Sequence, residues 1–213
     1  TYPITPQTHI VEMLSKMHSE GRINSEMINV ESEHSAMSAC IGAEACGVRT
    51  FTASSSQGIA LMSEMLFIAS GMRLPVVMAV ANRALSSPIN IWNDHSDTMA
   101  QRDSGWLQFY CENAQEAYDT MMQAYKISEH KDILLPSMVC VDGFTLSHLL
   151  EPVQMLKQAD ADSFLPAYAP RYKLDTDNPL TMGALAYPDT YMHFKKQQQD
   201  AIINSADIIR KAN

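Results

Sequence analysis

Pro75 to Ala81 reads Pro-Val-Val-Met-Ala-Val-Ala without one polar side chain, and this run constrains the fold more than any other feature of the chain. A strand with one wet face alternates apolar and polar residues. A strand apolar at every position is buried on both faces, as happens in a parallel sheet covered by helices. The neighbouring segments fit that setting. Met27 to Val30 and the β-branched stretch Val48 to Thr52 are strand candidates before it, and Ile133 to Val141 is one after it, ending at Asp142-Gly143. Between them lie helical patterns. Ile10, Met13, Leu14 and Met17 recur at helical spacing and stop at Gly21, and Ser32 to Gly47 is rich in small residues suited to close packing. An apolar helix follows the turn Ser54-Ser55-Ser56-Gln57-Gly58 and runs to about Ser70. Another spans Asn113 to about Glu129, opened by Asn113 and Glu116 in the pattern of a capping box. Strand and helix in alternation imply an α/β fold, a parallel sheet flanked by helices.

Thr5-Pro6 has the chemistry of a helix start, a hydroxyl to cap free N–H groups and then a proline whose missing N–H costs nothing there. From Asn82 to Asp103 the periodicity is lost and polar residues crowd in, which marks a long ordered loop of the kind that carries function. The α/β unit is expected to occupy residues 1–150, with the body of a first strand lacking before Thr1. Residues 151–213 hold five of the ten prolines and read as an extended arm, closing in a helix from His193 to Ala212. Because the chain opens on Thr1, it reads as a fragment of a longer subunit.

Composition limits the partners. A chain of 213 residues with 46% hydrophobic and 18% charged content suffices for one domain with a substantial core. A net charge of −9 and a pI near 5.1 oppose nonspecific attraction to nucleic acid or anionic lipid. Cys40, Cys46, Cys111 and Cys140 include no C-x-x-C pair and sit in apolar or small-residue runs, which reads as buried thiols in a reducing cytosol. Such spacing does not provide a zinc or iron–sulfur site, so any metal redox centre is expected on another chain. No signal peptide or apolar run of about 18 residues is present, and the reading is a cytoplasmic protein.

In an open parallel sheet, ligands bind beyond the carboxyl ends of the strands. Thr5, Glu33, the Ser54 to Gly58 turn and Arg83 would all lie at that edge. Each also has an ordinary explanation: Thr5 as a helix cap, Glu33 as an acid in a helix first turn, Arg83 as an ion-pair partner of Asp94 or Asp97. The serine-rich turn lacks the glycines and lysine of a phosphate loop, no G-x-G-x-x-G follows a strand, and no G-x-S-x-G elbow occurs. His95 and His148 are read as surface residues, and the fifteen methionines as core filling.

Several motifs recur in order along the chain: Y-P-I-T-P at Tyr2 to Pro6, E-S-E-H-S-A at Glu31 to Ala36, F-T-A-S-S-S-Q-G at Phe51 to Gly58 and N-R-A at Asn82 to Ala84. They continue with N-x-W-N-D-H-S-D at Asn90 to Asp97 and D-G-F-x-x-S-H at Asp142 to His148. Together they resemble the alpha subunit of pyruvate:ferredoxin oxidoreductases, and the resemblance extends through the Pro-rich arm. It implies the pyrimidine-binding domain of a thiamine-diphosphate fold, with the cofactor shared with a beta subunit that holds magnesium. The 4Fe-4S iron–sulfur clusters would likewise lie on partner subunits of beta, gamma and delta type. By the same resemblance, Glu33 would hydrogen-bond the aminopyrimidine nitrogen N1′ and Ser56, Gln57 and Gly58 would line the pyrimidine pocket. Thr5 would contact substrate and cofactor near the reacting carbon, and Arg83 would hold the substrate carboxylate. The implied reaction is oxidative decarboxylation of pyruvate with coenzyme A, electrons passing to ferredoxin. A different 2-oxoacid, or a noncatalytic α/β scaffold in which Glu33 is merely a helix-end acid, are the alternatives. The glycine-bearing segment that precedes Y-P-I-T-P in such subunits, and their second domain after about Asn213, are absent from this sequence.

Overall fold

A computed structural model describes every residue from Thr1 to Asn213. Four parallel strands form one sheet in the order β1-β2-β4-β3, with β1 at Phe51–Ser54, β2 at Val77–Asn82, β3 at Leu107–Cys111 and β4 at Ser137–Asp142. In register, Ser54 lies opposite Val80 and Asn82 opposite Asp142, so the polar ends of three strands share one edge.

The apolar run forms β2, and every residue of that strand is buried. Its side chains alternate between two cores, as the two-residue repeat of a strand requires. Met78 and Val80 join Met37, Ile41, Ile59, Met62, Leu66, Met138 and Cys140 on one face, while Val77 joins Val139, Cys111 and Ala124 on the other. Each fully buried side chain of this kind is worth about 1.5–3 kcal/mol relative to exposure. The first face is covered by α2 (Glu33–Ala45), α3 (Ser56–Leu61) and α4 (Ser63–Gly71), the second by α6 (Ala114–Ser128). α6 opens as expected. Asn113 Oδ1 accepts the Glu116 N–H at 2.8 Å, while the Glu116 carboxylate reaches back to the Glu112 N–H at 2.8 Å, one residue before the position of an ideal capping box.

Local hydrogen bonds explain where the expected boundaries move. α1 spans Thr8–Ser19 rather than starting at Thr5-Pro6. The fully buried Gln7 amide accepts the Ile4 N–H at 3.1 Å and donates to Ala53 O at 2.7 Å, which pins the preceding turn to β1. β1 begins at Phe51 rather than Val48, because the Val48 N–H closes the end of α2 on Ala43 O and the Thr50 N–H is taken by the Glu44 carboxylate. Met27 to Val30 does not join the sheet; it runs beside Thr1, with the Val30 N–H on Thr1 O at 3.2 Å. β3 had no expectation, since Gln108 and Tyr110 interrupt its apolar pattern at the sheet's edge. The short helices α5 (Ser96–Met99) and α7 (Gln158–Phe164) also lie in stretches without periodicity. Cys46 caps the end of α2 and is exposed, contrary to the expectation of four buried thiols.

The last helix, α8, spans Pro188–Ala212 and starts earlier than His193, with its proline in the first turn where no N–H is needed. Its Ala201, Ile202, Ile208 and Ile209 pack on Leu107, Ile127, Ile133 and Leu135. The arm is tied down on its way there. Arg49 makes a double contact with Glu129 at 2.6 and 2.8 Å and donates to Pro166 O at 2.9 Å, and the Leu174 N–H reaches Ala45 O at 2.7 Å. No helix is long and apolar enough to cross a membrane.

Candidate functional site

The carboxyl edge of the sheet gathers three turns. After β1, Ser55 donates its hydroxyl to Ala81 O at 2.6 Å and Ser56 adopts a φ of +45°, a left-handed conformation that costs about 1–3 kcal/mol for a non-glycine residue. The Ser56 hydroxyl donates to Ala84 O at 2.6 Å, and Gln57, partly exposed, lies beside it. After β2, Arg83 turns inward and is 7% exposed. After β4, Gly143 sits directly under Pro6: a Cβ there would lie 3.1 Å from the proline ring and would collide with the backbone carbonyl of Asn82. This close approach seats the Thr5-Pro6 turn on the sheet edge.

One carboxylate joins the first two turns. Asp97, 1% exposed, accepts the backbone N–H groups of Ser56 and Arg83 on one oxygen, each at 3.0 Å. Its other oxygen accepts Asn82 Nδ2 and the Thr98 N–H, each at 2.8 Å.

Glu33 is the first residue of α2, whose N-cap Ser32 accepts the Ser35 N–H at 3.2 Å. It is 6% exposed, yet its carboxyl makes no ion pair and no hydrogen bond within the chain. Its position at a helix N-terminus is favourable for an acid. The carboxyl presses on Gly58 of α3, where a Cβ would lie 2.7 Å from Glu33 Oε1 and 2.8 Å from its Cγ, and would collide with Ser54 Oγ. Ser54 is wholly buried and its hydroxyl is unpartnered. An acid without a hydrogen-bond partner and a buried hydroxyl without one therefore meet at Gly58, whose missing side chain lets both pack against it.

Arg83 also lacks a counterion. The arginine ion pairs of the chain use Arg22, Arg49, Arg102 and Arg210, and the Arg83 guanidinium donates only to carbonyls, to Thr5 O at 3.0 Å and Asn90 O at 3.4 Å. Pairing with Asp94 or Asp97 does not occur. Asp97 is occupied by the Arg83 main chain, and the Asp94 carboxylate is held by Ser96, whose hydroxyl first and backbone N–H second keep its pKa below the usual range. Thr5 is exposed, its side chain caps no helix, and its carbonyl oxygen is what meets Arg83.

The sheet edge continues toward β3 with His95, whose Nε2 lies 3.1 Å from Asp142 Oδ1 and whose ring rests 4.8 Å from that of Tyr110. Burial pushes the Tyr110 hydroxyl pKa up, opposed by its 2.9 Å contact with Thr98. His148 stacks on Phe144 at 4.3 Å, and Phe144 on Trp92 at 5.2 Å. Sequence reasoning placed Ser54 at the edge only as part of its turn, gave Asp97 only an ion pair with Arg83 that does not form, and gave Gly143 no role. Only D-H-S-D and D-G within the loop motifs pointed toward the last two.

The family model described as "Pyruvate flavodoxin/ferredoxin oxidoreductase, thiamine diP-bdg" matches residues 1–213. The pyruvate synthase subunit PorA of Methanocaldococcus jannaschii is 58% identical over 213 residues, which is 100% of this chain and 55% of the relative. That of Thermotoga maritima is 52% identical over 204 residues, covering 95% and 52%. The ketoisovalerate oxidoreductase subunit VorA of Pyrococcus furiosus is 50% identical over 195 residues, covering 91% and 49%. The chain thus spans about half the length of the curated relatives it matches. Among solved structures, a 2-oxoglutarate:ferredoxin oxidoreductase from Magnetococcus marinus superposes with a TM-score of 0.73 at 15% identity, over 97% of this chain and 41% of the other. At that identity the likeness speaks for the fold alone. With the family model spanning all 213 residues and relatives more than half identical, this chain belongs to the thiamine-diphosphate-binding domain family of the pyruvate flavodoxin/ferredoxin oxidoreductases.

Proposed function

We propose that this chain contributes the pyrimidine-binding side of a thiamine-diphosphate site in a 2-oxoacid:ferredoxin oxidoreductase whose substrate is pyruvate. The observation that carries the reading is a pair of buried charged side chains at one sheet edge, Glu33 without any partner and Arg83 without a counterion. A carboxyl with no donor on it and a guanidinium with no counterion are each free to bind a ligand that supplies the missing group.

The residues fit the cofactor. A heteroaromatic ring with a basic nitrogen at its edge needs a carboxyl free of other partners, and Glu33, seated against Gly58 beside the unpartnered Ser54 hydroxyl, offers one. Bound thiamine diphosphate would supply the carbon nucleophile and the electron sink for the substrate carbonyl. Glu33 would share a proton with the ring nitrogen N1′, a role for which a buried carboxyl with no competing partner is suited. The Ser56-Gln57-Gly58 turn would line the ring. Arg83, whose fork retains donors beyond those used by Thr5 O and Asn90 O, would clamp the oxoacid carboxylate and orient its ketone. Thr5, held over Arg83 by its own carbonyl, would border the reacting carbon. The diphosphate, magnesium and 4Fe-4S clusters would belong to beta, gamma and delta-type partner subunits. Pyruvate and coenzyme A would then give acetyl-CoA and carbon dioxide, and the electrons would leave one at a time to ferredoxin.

Pyruvate is preferred because the pyruvate synthase subunits named above are the more similar relatives, at 58% and 52% identity against 50% for the ketoisovalerate oxidoreductase subunit. The test is viologen reduction by the anaerobically purified native complex, with and without coenzyme A, comparing pyruvate, branched-chain 2-oxoacids and 2-oxoglutarate. Strongest reduction with pyruvate, dependent on coenzyme A, is expected. Preference for another oxoacid moves the substrate and keeps the mechanism. Glu33→Gln is expected to abolish turnover while leaving assembly intact, and near-normal turnover in that variant returns Glu33 to the scaffold role.

A further inference from the structure

The Asp97 carboxylate is almost wholly buried, has no cation beside it, and is neutralised entirely by N–H donors from two separate turns and its own helix. One of its oxygens is shared between the Ser56 N–H and the Arg83 N–H at equal distances of 3.0 Å. These two donors belong to the turns that, in the function proposed above, line the cofactor ring and hold the substrate carboxylate. From this shared oxygen we infer that Asp97 is a positioning residue that locks the cofactor turn and the substrate turn into one unit, so that a change at one is felt at the other. The inference rests on that functional reading.

Other bonds point the same way. Ser56 carries a positive φ that its own sequence does not favour, and the Asp97 bond together with the 2.6 Å bond from Ser56 Oγ to Ala84 O holds it there. The second tie crosses directly to the Arg83 turn, and the first reaches it through Asp97. Ser55 adds a bond to the end of β2, donating to Ala81 O at 2.6 Å. Since Asp97 lies in the short helix α5 rather than in either turn, its carboxylate can satisfy both N–H groups only while the turns keep one mutual spacing. A buried acceptor serving several donors has no alternative arrangement of similar energy, which makes the junction rigid.

Substituting Asp97→Asn replaces one oxygen by an NH2 group. If that group faces Asn82 and Thr98, the Asn82 amide can turn over and accept from it, because its Oδ1 is buried and unpartnered, while the Thr98 N–H loses its acceptor and both turn N–H bonds survive. If the NH2 group faces Ser56 and Arg83, donor meets donor and the turns separate. Asp97→Ala removes the shared acceptor and leaves only the Ser56–Ala84 and Ser55–Ala81 bonds between the segments. Asn82→Ala removes one donor to Asp97 and leaves both turn N–H bonds in place.

The experiment uses the assembled complex stripped of thiamine diphosphate. Cofactor Kd is read by equilibrium dialysis, and KM and kcat for pyruvate are read after reloading at saturating cofactor. Asp97→Asn and Asp97→Ala are expected to raise the thiamine diphosphate Kd and the pyruvate KM together, each by about tenfold or more. Asn82→Ala is expected to shift both by no more than about threefold and provides the comparison if the Asp97 variants assemble poorly. A merely structural Asp97 would lower the yield or melting temperature of the complex while the assembled fraction kept normal Kd and KM, and that result overturns the inference. So does a tenfold shift confined to one constant. Failure of the unsubstituted complex to bind thiamine diphosphate would instead overturn the functional reading itself, which keeps the two failures distinguishable.

Discussion

Gly58→Ala tests the geometry of the acid pocket with a single carbon atom. Gly58 has an ordinary helical φ, so the backbone accepts alanine, and helix propensity alone would favour the change by about 1 kcal/mol. Sterics oppose it. The new methyl would stand 2.7 Å from Glu33 Oε1 and 2.8 Å from its Cγ, where ordinary contact begins at 3.4 Å, so the Glu33 side chain must retreat by about 0.6–0.7 Å. The Ser54 hydroxyl on the other side is nearer still, and because it is wholly buried it can give way only by turning within the core. Overpacking of this kind costs about 1–3 kcal/mol, which roughly cancels the propensity gain in global stability. At the pocket nothing cancels: a carboxyl displaced by more than half an ångström loses its alignment with a ring nitrogen, and about tenfold in affinity, or about 1.4 kcal/mol, is expected. The assay is the thiamine diphosphate Kd of the cofactor-stripped complex by equilibrium dialysis, with a thermal melt beside it. Gly42→Ala is the control, since a Cβ at that exposed helical position meets nothing within 4 Å; it should raise the melting temperature and leave Kd unchanged. An unaltered Kd in correctly assembled Gly58→Ala complex would refute the assignment of this pocket to the cofactor.

Arg83→Lys keeps the charge and loses the planar fork, so the pyruvate KM is expected to rise about tenfold to a hundredfold with the cofactor Kd nearly unchanged; steady-state kinetics of the assembled complex decide it, and an unchanged KM removes Arg83 from the substrate site. Glu44 should govern a pH effect on stability far from that site. Burial raises its pKa from 4.5 to about 7, while Thr50, donating through its N–H and hydroxyl at 3.1 and 2.7 Å, and Tyr168 oppose the rise and Glu129 adds to it. The folded value lies above the unfolded one, so the contribution of Glu44 to stability is fully present below about pH 4.5, is lost as pH rises toward 7 and then levels. Glu44→Gln keeps an acceptor for Thr50 and should flatten that decline, measured as melting temperature between pH 5 and pH 8; an identical slope in both proteins would rule Glu44 out as its source.

Much of the architecture was legible because it is written in short-range pattern. The unbroken apolar run of β2 required burial on both faces, the small-residue stretch became α2, and Asn113 with Glu116 marked the start of α6. Motif order along the chain was equally legible, and the family follows from it. The elements that escaped were those whose pattern is set by neighbours: β3, half exposed at a sheet edge, and the first turn, which Gln7 diverts by bonding to β1.

At the site the division is sharper. The residue types that matter were visible, a carboxyl, a guanidinium, a hydroxyl and a serine-glycine turn. Their ordinary explanations could not be removed locally, because what removes them acts across long separations. Arg83 reaches Thr5 across 78 positions, Ser56 reaches Asp97 across 41, and Gly58 meets a side chain from another helix. Periodicity and capping depend on residues a few places apart, and they determined that this chain forms a parallel α/β sheet with polar strand ends. Which of those ends keep a partner, and which remain buried and unpaired, is decided by hydrogen-bond geometry between turns that only tertiary packing brings together.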